Sequence, residues 1–277
     1  MYSINCRGRL LTMNEPLVMG IINATPDSFY EGHLHSGMEG IVSFAGKMIA
    51  AGAAILDVGG LSTRPGSKPV SIEEETGRVV PVISAIFEKY PHAVISVDTY
   101  NSAVAIAAVE AGACIVNDIS AGNLDKNMLP AVARLQTPYI CMHMKGTPET
   151  MQQDAAYDDV VKEVLDFFIA KIDECTRLGI KDTIVDPGFG FGKTISHNFQ
   201  LLKKMEVFSM LRRPILAGLS RKSSIYKTLG TSAAEALNGT TVLNTIALLH
   251  GASILRVHDV KEAKEAVTLY SAYKKAT

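Results

Sequence analysis

The chain has 277 residues, 47% of them hydrophobic, with 22 glycines and a formal net charge of -1. That length suits one barrel-sized domain whose core is large enough to need neither disulfides nor a structural metal. The near-neutral charge gives no basis for nucleic acid or an anionic membrane as a partner.

The first residues, MYSINCRGRL, lack a basic segment followed by an apolar run, so no signal peptide is expected. The stretch before Leu17 is expected to form a short hairpin or plug. Eight short runs then follow: Leu17–Asn23, Ala54–Val58, Ala93–Asp98, Cys114–Asp118, Pro138–Met142, Thr183–Asp186, Pro214–Gly218 and Ile254–His258. Each is rich in Val, Ile and Leu and apolar without alternation, as parallel strands covered on both faces are. Between them lie segments with helical spacing, among them Ile72–Lys89, Asp158–Leu178 and Ser232–His250. Gly52, Gly112, Gly179 and Gly251 each stand where a helix should stop before a strand, a place that favours the left-handed conformation. Such alternation implies right-handed crossovers and a parallel sheet. Eight units predict an α/β fold, a closed (β/α)8 TIM barrel behind an N-terminal hairpin, with residues 1–277 as a single domain. The count alone leaves a doubly wound sheet as the alternative.

The longest irregular stretches, Ala24–Gly37, Gly59–Ser71, Lys145–Ala155 and Leu219–Thr231, all follow strands, which in a barrel puts them on the active face. The strands themselves end in Asn23, Asp57, Asp98, Asn117-Asp118, His143, Asp186, Ser220-Arg221-Lys222 and Arg256-Val257-His258. Asp118 should point away from Asn117 and reads as a helix cap. Capping does not explain Asp98, Asp186 and Lys222 together. Carboxylates that take N–H donors in a fork, with an amide and a lysine nearby, suit a flat heterocycle. Arg256 and His258, two apart on a strand, point the same way and suit a diphosphate.

Other signals are weaker. Gly188-Phe189-Gly190-Phe191-Gly192-Lys193-Thr194 fails as a P-loop because Pro187 stands where its first glycine belongs. His33 and His35 have metal-like spacing but no third ligand nearby. No nucleophile elbow or zinc-protease motif occurs. Cys6, Cys114, Cys141 and Cys175 form no C-x-x-C pair, and three of them lie in apolar stretches and read as buried thiols, which favours a reducing, cytoplasmic setting. No run approaches a membrane span; Thr241–Val257 is broken by Asn244, His250 and Arg256.

Gly20–Phe29 and Asp57–Gly66 resemble the first and second loop signatures of the dihydropteroate synthases. Ser96–Thr99, Asn117–Ile119, Asp186–Lys193, Leu219–Ser223 and Arg256–Val260 follow in that family's order, and the match runs from about Asn5 onward. The resemblance implies condensation of 6-hydroxymethyl-7,8-dihydropterin diphosphate with p-aminobenzoate to give 7,8-dihydropteroate and pyrophosphate. It implies Mg²⁺ with Asn23 as its protein ligand, and Thr63, Arg256 and His258 on the diphosphate. It puts Asp98, Asn117, Asp186 and Lys222 on the pterin, and Phe29, Arg64, Pro65, Phe191 and Ser220 on the p-aminobenzoate side. No general base is assigned; a homodimer and sensitivity to sulfonamides are implied. Leu61 stands where a glutamate is usual and Glu31 where an aspartate is. The alternatives are a methyltetrahydrofolate-binding methyltransferase domain, or a pterin-binding protein without turnover.

Overall fold

The structure, a computed structural model, describes residues 1–25, 37–61, 70–148, 150–151 and 155–276. It opens with the expected hairpin. Strands β1 (Tyr2–Cys6) and β2 (Arg9–Met13) pair antiparallel from Tyr2↔Met13 to Cys6↔Arg9. The connecting Arg7 and Gly8 both have positive φ, 53° and 89°, the backbone that a two-residue hairpin turn demands. Ile4, Cys6 and Met13 alternate onto one face and pack into a cluster with Met19, Ile55, Ile115, Ile140, Ile184, Leu216 and Ile254. The hairpin is therefore a plug. Asn5 N–H to Asp182 Oδ2 (2.8 Å) and Arg7 Nη1 to the Val109 carbonyl (2.6 Å) fasten it below the strands.

The barrel strands are β3 (Leu17–Asn23), β4 (Ile55–Gly59), β5 (Ile95–Asp98), β6 (Ile115–Asp118), β7 (Tyr139–Met142), β8 (Thr183–Asp186), β9 (Leu216–Ala217) and β10 (Ile254–Val257). All pair in parallel in the order β8-β7-β6-β5-β4-β3-β10-β9, and a Val185↔Ile215 bridge closes the ring. The crossovers carry α1 (Gly37–Ala50), α2 (Ile72–Lys89), α3 (Ser102–Glu110), α4 (Met128–Leu135), α5 (Val160–Arg177) and α6 (Ile195–Lys203). A 3-10 turn, Met205–Leu211, follows α6; α7 (Ser223–Leu229) and α8 (Leu237–Leu249) both precede β10, and α9 (Val260–Lys275) ends the chain's described part. A doubly wound sheet is excluded.

Local chemistry sets the helix limits. Ser71 Oγ accepts from Glu74 N–H at 3.2 Å to start α2, and Asp159 Oδ1 accepts from Val161 N–H at 2.9 Å to start α5. The four stop glycines have φ of +101°, +126°, +85° and +95°, as their positions required. Two expectations need correction. The stretch Leu219–Thr231 is not irregular throughout, since it contains α7. The helix expected over Ser232–His250 starts only at Leu237, because Glu235 Oε2 gathers Thr231 Oγ1 (2.7 Å), Ser232 Oγ (2.7 Å) and Ser232 N–H (3.2 Å) into a turn.

Alternation along the strands builds the site. Leu56, Val58, Val97, Val116 and Val185 face the helices and join their apolar stripes in one core. The residues between them face the barrel interior and change character along each strand: Ile55 to Asp57, Ile115 to Asn117, Ile184 to Asp186, Ile254 to Arg256. The lower interior is thus sealed and apolar, and the upper interior is charged.

Candidate active site

At the carboxyl ends of the strands, Arg256 is the hub. Its Nε donates to Asp57 Oδ2 at 2.7 Å and its Nη2 to Asp98 Oδ2 at 2.5 Å. Asn117 Nδ2 donates to the same Asp57 oxygen at 3.1 Å, while Asp57 Oδ1 is buried with no hydrogen-bond partner. Burial would lower the pKa of Arg256, but Asp57 and Asp98 together hold it above its ordinary value. Asp98 is pushed up to about 7, first by burial and further by Asp57, Glu75 and Asp118, with Arg256 opposing.

A second group faces it. Asp186 Oδ1 accepts the Gly188 N–H at 2.8 Å, and burial raises its pKa against the pull of Lys222. Lys222 donates to the Phe189 carbonyl and lies 4.8 Å from the Phe191 ring centroid. Burial lowers its pKa to about 8, with Asp186 opposing. Gly218 leaves the gap open: a Cβ there would stand 3.8 Å from Lys222 Nζ and 3.9 Å from Asp186 Oδ2.

The third group is Ser220 Oγ and His258 Nδ1, 2.9 Å apart, with His258 N–H also donating to that hydroxyl at 3.2 Å. Ser220, expected on the p-aminobenzoate side, thus touches a residue expected on the diphosphate. Arg221 turns away and is held by Asp259 at 2.8 and 2.9 Å. Asn23 stands exposed at the end of β3, beside Gly59 in the register.

The described residues therefore bring Asp98, Asn117, Asp186, Lys222, Ser220, Phe191, Arg256, His258 and Asn23 to one end of the barrel. Phe29, Thr63, Arg64 and Pro65 lie outside the described residues, as do Glu31, His33 and His35. Leu61 is half-buried, just after Gly60, whose carbonyl accepts Arg78 Nη1 at 2.8 Å. Asp118 does turn away from the mouth, but it is not a helix cap. Its carboxylate takes Ser120 N–H, Ser120 Oγ, Gly122 N–H and Tyr139 Oη, each at 2.7 Å, because α4 does not begin until Met128.

Sequence reasoning gave no role to Asp57, Glu75 or Lys193. Asp57 was detectable as an interior-facing charge that must find a cation. Glu75 was detectable too, since it falls on the buried stripe of α2 with Val79, Val82, Ile83 and Ile86. Asn101 Nδ2 donates to Glu75 Oε2 at 2.5 Å, and burial raises the pKa of this acid.

The chain is similar to known proteins along nearly its whole length. Residues 19–258 match the family model described as pterin binding enzyme. The dihydropteroate synthase of Escherichia coli is 45% identical over 96% of this chain and 94% of its own length. The crystal structure of the Yersinia pestis dihydropteroate synthase with a sulfonamide drug complex superposes with a TM-score of 0.94 at 39% identity, covering 99% of this chain and 100% of that one. The Xanthomonas albilineans enzyme in complex with 7,8-dihydropteroate superposes with a TM-score of 0.90 at 38% identity, covering 100% of both chains. The chain belongs to the pterin binding enzymes and, within them, to the dihydropteroate synthases.

Proposed function

We propose that the barrel mouth binds 6-hydroxymethyl-7,8-dihydropterin diphosphate with its ring between Asp98, Asn117, Asp186 and Lys222. The diphosphate then lies toward Arg256 and His258, and p-aminobenzoate approaches beside Phe191 and Ser220. The supporting observation is the ring of buried, partly satisfied charges above a sealed apolar floor. Asp186 keeps one carboxylate oxygen, Oδ2, open across the gap that Gly218 leaves toward Lys222, so an acceptor and a donor face the same slot. A planar amino-pyrimidinone edge offers the complementary N–H groups and carbonyl. Among the described residues Arg256 Nη1 makes no hydrogen bond, which leaves a donor for a phosphate oxygen. Thr63, Arg64, Pro65 and Phe29 complete the reading on the diphosphate and p-aminobenzoate sides.

The reaction breaks the bond between the pterin methylene carbon and the diphosphate oxygen, forms a carbon–nitrogen bond, and removes one proton from the amine. Arg256 and His258 stabilise the charge that develops on departing pyrophosphate, and Asp98 and Asp186 favour positive charge spread over the pterin. The aryl amine is nucleophilic at neutral pH, so no base is required of the protein. Burial keeps water out and strengthens each of these interactions.

Mg²⁺ fits this donor set. Asn23 carries a carboxamide oxygen, a hard ligand, and would hold the ion as one of few protein oxygens, which matches the preference of Mg²⁺. When bound, it supplies charge neutralisation on the leaving group. Asn23→Ala is expected to raise the Mg²⁺ concentration for half-maximal turnover about tenfold, while barely changing affinity for a pterin without diphosphate. An unchanged Mg²⁺ titration would remove Asn23 from this role.

A homodimer is favoured by apolar side chains left exposed on adjacent helices, Val242 and Leu249 on α8 and Leu269 and Tyr273 on α9; sedimentation at twice the monomer mass checks it. The four described cysteines are free and buried, which suits the reducing cytoplasm, and no helix among the described residues is long and apolar enough to cross a membrane. The proposed placement of p-aminobenzoate is tested by inhibition. A sulfonamide, which carries the same aniline, should compete with p-aminobenzoate and leave the maximal rate unchanged; non-competitive behaviour would contradict the placement.

A further inference from the structure

Lys193 is a buried lysine that the roles above leave unused. It is 3% exposed, and its Nζ reaches the carbonyls of Phe191 (2.9 Å), Gly188 (3.0 Å) and His143 (3.2 Å), and His143 Nδ1 (3.0 Å). Burial pulls the pKa of Lys193 well below an ordinary lysine's, against the pull of Asp186, and that of His143 down to about 2. The amine donates to carbonyls in either protonation state.

The turn around this Nζ has an unusual backbone. Gly188, Gly190 and Gly192 have φ of +70°, +86° and +61°. A Cβ on Gly188 would lie 1.9 Å from the His143 carbonyl oxygen, so the close approach of the β7 end to the turn requires glycine there. Carbonyls drawn together this way repel one another unless a hydrogen-bond donor sits among them, as Lys193 Nζ does. The other side of the same turn faces the mouth. Gly188 N–H donates to Asp186, the Phe189 carbonyl takes the Lys222 ammonium, and the Phe191 ring lies beside it.

We infer that Lys193 is a positioning residue for the pterin half of the site: by gathering the carbonyls of the β8–α6 turn it orients Asp186 and Lys222. The inference deepens the reading of the mouth as a pterin site and rests on it. Lys193 touches neither substrate; it acts through the turn.

Lys193→Met keeps a chain of similar length and removes the donors. Calorimetry with a pterin lacking diphosphate should show at least about tenfold weaker binding. The KM for the pterin diphosphate should rise by a similar factor, and that for p-aminobenzoate, which meets this turn only through Phe191, should rise less. In a Lys222→Met background the same substitution should cost clearly less, because one of its targets is gone. A lysine that only stabilises the fold would lower Tm without this split or this coupling. Unchanged pterin affinity, or a loss that is fully additive with Lys222→Met, overturns the inference. Lys193→Gln, which keeps two donors without the charge, is read by the same criteria if the methionine variant does not fold. Failure of the underlying reading would show separately, as intact pterin affinity in Asp186→Ala.

Discussion

Asp186→Ala is expected to weaken binding of a pterin without diphosphate by about 2–4 kcal/mol, roughly 30- to several-hundred-fold, by calorimetry. The estimate follows from what the carboxylate does in place. One oxygen is held by Gly188 N–H, and the other faces the slot beside Lys222. A fork of two N–H donors onto a carboxylate is charge-assisted and buried, and alanine removes it while leaving the ligand's donors unpaired. The substitution acts a second time through Lys222. Asp186 opposes the burial that brings Lys222 down to about 8. Without that carboxylate the pKa of the lysine falls further, which weakens its own bond to the ring. Near-normal pterin affinity in this variant would sink the assignment of the pocket.

Arg256→Met should lower kcat/KM for the pterin diphosphate by about 100-fold or more, since one side chain both meets the leaving group and organises two acids. It should also destabilise the protein by about 3–5 kcal/mol, the usual cost of breaking a buried pair and leaving charge uncompensated. This cost depends on pH. Asp98 stands at about 7 in the fold, well above an unfolded aspartate near 4. Between those values the native state holds a proton that the unfolded chain has lost, so stability falls as the pH rises through that window. Without the guanidinium the folded pKa moves higher and the window extends upward. The deficit of Arg256→Met against the unsubstituted protein should therefore be larger at pH 8 than at pH 5 in urea denaturation. An equal deficit at both values would show that Arg256 does not set the ionisation of Asp98.

The barrel was legible because its signal is repeated. Eight apolar runs ending in polar residues, with glycines at the helix stops, all point to strand–helix alternation in a parallel sheet, and the structure differs mainly at one loop and one helix start. In Leu219–Thr231 the helix α7 escaped because it is short and begins inside a loop motif, where Ser, Arg and Lys hide its spacing. The site was legible only as a list of strand-end residues. The partners that determine their behaviour come from elsewhere in the sequence: Arg256 meets Asp57 and Asp98 across gaps of 199 and 158 residues. No local pattern reports such a pairing. Lys193 was hidden differently, because its function is directed at backbone carbonyls of its own turn, and a glycine-rich string says nothing of where those carbonyls point until φ is known.

If one mouth brings both substrates together, product formation from the two reports it directly. The protein is incubated with the pterin diphosphate and Mg²⁺, and pyrophosphate and 7,8-dihydropteroate are followed with and without p-aminobenzoate. p-Aminobenzoate should accelerate pyrophosphate release, and the two products should appear in equal amounts. Pyrophosphate release that ignores p-aminobenzoate, or an absence of dihydropteroate while both substrates are bound, would contradict it.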